Sequence, residues 1–338
     1  MSSIGTPLMW SLFAAFVMLA LAIDFVALNR QGAHRVSMRE AFVWSLIWVA
    51  VSAAFAAWMW WYLSRSPDEA TRALANTKLL EFTTGYLVEK ALAVDNVFVF
   101  LMIFTYFSVP AEFQKRALMV GILGAIVLRG AMILIGAWMI ARFHWILYVF
   151  GAFLIFTGIK MWWATGQEPD LESNPALKWL RRRMRISSDY DGERLFTIVG
   201  GARVATPLAL VVVMIGIVDV VFAVDSIPAI FAITIDPFIV LTSNVFAILG
   251  LRALYFLLAG MHERFHLLSY GLAVVLLFIG TKMLLIDIYK IPVSVSLLVT
   301  AAILATSMML SQLIPPAGRP RSAYPFARKK PDAADRSS

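Results

Sequence analysis

The chain has 338 residues, of which 61% are hydrophobic and 15% charged, with a mean hydropathy of +0.80 and a formal net charge of +8. A water-soluble domain carries about a quarter charged residues, so the composition excludes one and points to an all-α polytopic membrane protein. Cysteine is absent, which excludes disulfides, thiolate metal centres and thiol redox chemistry among these residues.

Apolar windows matching the roughly 20 residues that cross a bilayer place about nine transmembrane helices. They fall near 7–28, 39–63, 80–107, 115–141, 145–163, 206–234, 237–260, 266–286 and 293–314. The first has neither a basic n-region nor a small-residue cleavage site and is read as a retained span. Residues 1–79 are expected to form a two-helix scaffold, 80–163 a first repeat unit, and 164–205 a basic cytoplasmic loop containing Arg181-Arg182-Arg183 and Arg185. Residues 206–286 are expected as a second repeat unit, 287–314 as the final span and 315–338 as a disordered cytoplasmic tail.

Lys and Arg are retained on the cytoplasmic side of a membrane, which orients the chain. With the N-terminus outside, the inner connections and the tail hold about nineteen basic residues, against Arg65, Arg72, Lys78, Arg142 and Lys290 outside. The positive charge is thus a topology signal. No basic patch interleaved with aromatics supports a nucleic-acid partner, and the lipid bilayer is the expected surrounding.

Two segments repeat. Arg142-Phe143-His144 through Gly158-Ile159-Lys160-Met161 recurs as Arg264-Phe265-His266 through Gly280-Thr281-Lys282-Met283. Upstream, Leu128-Arg129 matches Leu251-Arg252, and Ala93-Val94-Asp95-Asn96 matches Ala223-Val224-Asp225-Ser226, with Glu89 and Asp219 each six residues before the motif aspartate. A unit of three helices is odd, so its second copy is expected inverted, with corresponding elements meeting at the membrane midplane. Asp95 and Asp225 are the expected meeting pair.

A carboxylate at the bilayer centre costs about 2.5 to 3.5 kcal/mol on insertion scales, so Glu89, Asp95, Asp219 and Asp225 imply a use. On a helix Glu89 and Asn96 share a face and Asp95 projects about 100° away, and Asp219 and Ser226 repeat the arrangement. Pro228 is expected to free the Val224 carbonyl and to kink or break its helix. Carboxylate, amide, hydroxyl and carbonyl oxygens suit a hard divalent cation. Asn244 is a further oxygen ligand or a link between helices, and Lys160 and Lys282 are expected to snorkel. Met102, Met119 and Met214 read as packing, Asp24 and Glu81 as interfacial acids. The histidines, His34, His144, His262 and His266, lie in or beside connections, away from the acids. The competing reading is structural: Lys90, Arg129 and Arg252 are also intramembrane, and Asp95 with Arg129 and Asp225 with Arg252 would be buried ion pairs that register helices.

Glu89 with Ala93-Val94-Asp95-Asn96, and Asp219 with Phe222-Ala223-Val224-Asp225-Ser226-Ile227-Pro228-Ala229, resemble the TerC family of integral membrane proteins over nearly the whole chain except the tail. The resemblance implies a bacterial plasma-membrane protein related to the lysine-exporter-like superfamily. It also implies a role in metal homeostasis, chiefly manganese export, and a link to tellurite resistance. Carried over by position, it makes Asp95, Asn96 and Asp225 the foremost metal residues, with Glu89, Asp219 and Ser226 next. Lys90, Arg129, Arg252 and Asn244 remain as ion-pairing or gating residues. No nucleotide fingerprint is present, so a secondary transporter, and not an enzyme, is expected. A proton-antiport mechanism, a non-transporting assembly factor and a redox modulator are the accompanying alternatives.

Overall fold

The computed structural model describes residues 3–31, 36–143, 145–164, 175–183, 186–199, 201–259, 267–289 and 291–314. The tail from residue 315 and all four histidines lie outside the described residues, as do the side chains of Asp24 and Asp95. The helices are α1 (Pro7–Gln31), α2 (Met38–Ser64), α3 (Glu69–Tyr106), α4 (Ala111–Arg142), α5 (Ile146–Ala164), α6 (Pro175–Arg183), α7 (Pro207–Phe231), α8 (Pro237–Leu249), α9 (Leu251–Ala259), α10 (Leu268–Leu284) and α11 (Val293–Leu313). A hairpin of β1 (Phe196–Val199) and β2 (Ala202–Ala205) stands between α6 and α7.

Five helices, α2, α4, α5, α7 and α11, are long and apolar enough to cross a membrane, and the bent pair α8 and α9 makes up to six. Pro7–Ile23 and α10 are shorter apolar helices. The expected count of nine is therefore not reached by length and composition among the described residues. The protein is an all-α integral membrane protein.

Several boundaries differ from the expectation, each for a local reason. Helix α3 begins at Glu69, not near 80, because Asp68 caps it by accepting from the Thr71 amide at 2.9 Å. The span expected over 237–260 is two helices bent by 42° at Gly250. A Cβ at Gly250 would meet Lys90 Nζ at 2.5 Å and Trp48 Cβ at 3.2 Å, so the bend lies where α2 and α3 both approach closely. Pro228 does not break α7: it sits in the last turn, three residues before the helix ends at Phe231. The connection read as a polar loop over 164–205 contains α6 and the hairpin.

Helix α3 is central, packing against α2, α7, α8, α9 and α11, while α4 packs on α7 and α8. Helices α5 and α10 run along each other so closely that backbones touch. A Cβ on Gly280 would meet the Gly151 carbonyl at 2.8 Å, and one on Gly158 would meet the Ala273 carbonyl at 3.0 Å. In the sequence repeat 151 corresponds to 273 and 158 to 280, so each contact is the counterpart of the other. Small residues at such a crossing let dispersion between backbones hold helices that lipid would otherwise solvate equally well.

A buried carboxylate cluster around Arg129

Arg129 lies in the middle of α4 on the side facing α7 and α3. It is 2% exposed, and it is the largest of the fully buried side chains. Its guanidinium grips Asp219 of α7 with two bonds, Nη2 to Oδ1 at 2.9 Å and Nε to Oδ2 at 3.1 Å. Nη1 donates to Glu89 of α3 and to the Ser226 hydroxyl of α7, the latter at 3.2 Å. With its amide oxygen turned toward the guanidinium, Asn96 accepts from Nη2 at 3.1 Å and donates to the Leu92 carbonyl at 3.2 Å. The planar fork of arginine suits this bidentate grip in a way a lysine ammonium would not.

The helical period explains who meets whom. Glu89 and Asn96 are seven residues apart, two turns of helix, and both reach the same guanidinium from α3; Asp219 and Ser226 do the same from α7. The face-sharing read from the sequence thus holds. Arg129, however, pairs with Glu89 and Asp219, one residue set upstream of the aspartate motifs. The expected Asp95–Arg129 pair involves a side chain outside the described residues. Asp225 is half-buried and accepts from Thr157 of α5 at 3.2 Å, a residue the sequence did not single out. Thr157 sits one turn before Lys160, whose positive charge acts on Asp225.

Among the described residues, Glu89 Oε2 has no hydrogen-bond partner, nor has either polar atom of the Asn244 amide, which is wholly buried. Asn244 lies on the sector of α8 between Leu241, which packs on Gly130 of α4, and Ala247, whose carbonyl accepts from Lys90 of α3 at 3.3 Å. Asn244 thus belongs to the helix that packs on both α3 and α4. Leaving such groups unpaired costs about 1 to 3 kcal/mol each.

A second polar cluster closes the end of the bundle where α3 begins its buried course. Glu81, expected at the interface, is buried; it accepts from Lys78 at 2.8 Å and from the Thr234 hydroxyl at 2.6 Å. Lys78 also stands 3.4 Å from Asp236, whose Oδ1 caps α8 through the Phe238 amide at 3.1 Å. Ser3 and the Ile4 amide bind the same aspartate at 3.0 and 3.1 Å. The sequence did not single out this cluster; the Asp236-Pro237 dipeptide, a capping residue followed by proline at N1, is the signal from which it could have been found.

Among the described residues no group of three or more His, Asp or Glu side chains is close enough to hold a metal ion. What the described atoms assemble is a pair of carboxylates from two helices, bridged by one guanidinium and bordered by amide and hydroxyl oxygens.

The family model described as integral membrane protein TerC family matches residues 74–318. The membrane-bound redox modulator Alx of Escherichia coli (strain K12) is 55% identical over 311 residues, covering 92% of this chain and 96% of that protein. The membrane protein STKORF319 of Myxococcus xanthus is 46% identical over 309 residues, covering 91% and 93%. A membrane protein of Rickettsia bellii is 35% identical over 302 residues, covering 89% and 96%. No solved structure matches the chain. A match of this extent in both sequence and family model, on a bundle of apolar helices, means that the chain belongs to the TerC family of integral membrane proteins.

Proposed function

We propose that the protein is a secondary transporter that exports a divalent metal cation, manganese in the first instance, through the acidic region of α3, α4 and α7. The reading rests on one observation: Glu89 and Asp219, from different helices, share Arg129 in the buried interior, while Glu89 Oε2 and the Asn244 amide have no partner among the described residues. A buried guanidinium between two carboxylates is a tethered substitute for a cation. A divalent ion brings twice the charge, and hard oxygen ligands favour manganese or magnesium over softer metals. Entry of the ion then requires Arg129 to release its carboxylates, which couples binding to a shift of α4 against α3 and α7. Asp225, and Asp95 by its place in the repeat, would line the route on either side. Carboxylates that lose the metal can take up protons, which makes proton antiport the natural coupling.

The choice of manganese comes from the family resemblance, and tellurite resistance would follow from altered metal balance. A second reading takes its cue from the relative named as a redox modulator. With no cysteine in the sequence, such a role would be exerted without thiol chemistry. A non-transporting assembly factor is the remaining alternative, and it makes the 164–205 connection, not the acids, the essential part.

The test is cellular manganese after a manganese load, in a host lacking its own exporters. The parent protein lowers it, and Asp95→Asn with Asp225→Asn abolishes the effect at equal membrane expression. Equal metal in all strains would refute export and leave the assembly-factor reading in its place.

A further inference from the structure

The β1–β2 hairpin is apolar where a solvated hairpin is polar. Phe196 and Ile198 share one face with Arg203 and Ala205, since the register pairs Phe196 with Ala205 and Ile198 with Arg203. Val199, Ala202, Thr197 and Val204 form the other face. Ile198 is 75% exposed, Val199 55% and Phe196 48%, so apolar side chains stand uncovered on both faces. A hairpin in water normally keeps one face polar.

Its root is fixed. Ser187 donates from its amide to the Ala205 carbonyl at 2.8 Å, and the Tyr190 hydroxyl donates to the Phe107 carbonyl, beyond the end of α3, at 2.8 Å. Strand β2 runs straight into Thr206, whose side chain caps α7. Helix α7 has 25 residues. At about 1.5 Å each that length matches or exceeds a hydrocarbon core of roughly 30 Å, which puts the ends of the helix, and the hairpin leading into it, near the membrane boundary. Four-residue strands reach only about 13 Å, which keeps the hairpin near that layer. Basic residues lie on it and on the helix before it, while the acids of the connecting segment, Asp191 and Glu193, pair with Arg194 and Arg116. The Arg203 guanidinium stacks on the Phe196 ring at 4.8 Å, and the exposed residues of neighbouring α6 include Lys178, Trp179, Arg182 and Arg183. Apolar tip, aromatic residues and arginines together match the boundary between acyl chains and anionic headgroups.

We propose that the β1–β2 hairpin is an interfacial anchor whose tip inserts into the leaflet where α7 enters the membrane, with Arg203 on lipid phosphate. The absence of cysteine makes the test clean. Ile198→Cys, and separately Ser188→Cys at an exposed site outside the hairpin, is labelled with an environment-sensitive fluorophore. The full chain is then reconstituted in phosphatidylcholine vesicles with and without phosphatidylglycerol, iodide being equilibrated on both sides. The probe at 198 is expected to emit at shorter wavelength and to be quenched by shallow lipid-borne nitroxides. It should also be spared by iodide relative to the probe at 188, the contrast growing with phosphatidylglycerol and shrinking on Arg203→Gln. Iodide quenching at 198 equal to that at 188 would overturn the anchor. Protection from both quenchers would overturn it in favour of a protein contact.

Discussion

Replacing Arg129 by methionine keeps much of the side-chain volume and removes the charge shared by Glu89 and Asp219. Charge-assisted hydrogen bonds contribute about 1.5 to 3 kcal/mol each, and Arg129 makes three to carboxylate oxygens. Much of that gain offsets the several kcal/mol needed to bring a guanidinium into the interior, so the bonds are not the measure of the loss. The measure is the state left behind, two buried carboxylates without a counter-charge, for which removing one partner costs about 3 to 5 kcal/mol. Both partners are 2% exposed, so neither solvent nor salt screens the effect. The assay is the half-life of the monodisperse protein in detergent at fixed temperature, since membrane-protein unfolding is read as a rate. If the loss falls on unfolding, Arg129→Met shortens that half-life by about a hundredfold or more, at tenfold per 1.36 kcal/mol. Adding Glu89→Gln and Asp219→Asn, which remove the orphaned charges, restores most of it. A single variant as long-lived as the parent, or a triple variant no better than the single, would refute this account of the cluster.

Asn244→Leu should move stability and transport in opposite directions. Removing an amide with no partner among the described residues relieves a cost of about 1 to 3 kcal/mol and lengthens the detergent half-life, while manganese efflux from loaded cells falls; a variant that loses both would show the amide to be structural. At the exposed start of α3, the Thr71 hydroxyl and amide hold the Asp68 carboxyl below its ordinary value. The cap is therefore complete above the unfolded-state value of about 3.9 and lost as pH falls through the lower folded value. Amide exchange in the first turn of α3 should quicken over that window in the parent and be fast throughout in Asp68→Ala.

Hydropathy and the 3.6-residue period made the helical class legible, and they put Glu89 with Asn96 and Asp219 with Ser226 on common faces. They could not choose Arg129's partners, because acids six residues apart on one helix are equally plausible until a third helix selects a height. The start of α3 at Asp68 was signalled by a capping residue with Thr71 three positions on. Its first turns are too polar to register as part of a span. The bend at Gly250 lies against Trp48 and Lys90 of helices distant in sequence, and one glycine in an apolar run does not reveal it. Glu81 looked interfacial because its partners, Lys78 and Thr234, come from its own helix and from a turn more than a hundred and fifty residues away.

Where α5 and α10 meet, peptide groups come within reach of one another beside Ile155, Leu277 and Leu284. A seam this close leaves no room for a methyl group on Gly280, so it has little freedom to repack. If the bundle opens as proposed, a pair packed this closely would move as one body, and Arg129, which joins α4 to α3 and α7, is the contact that would have to part.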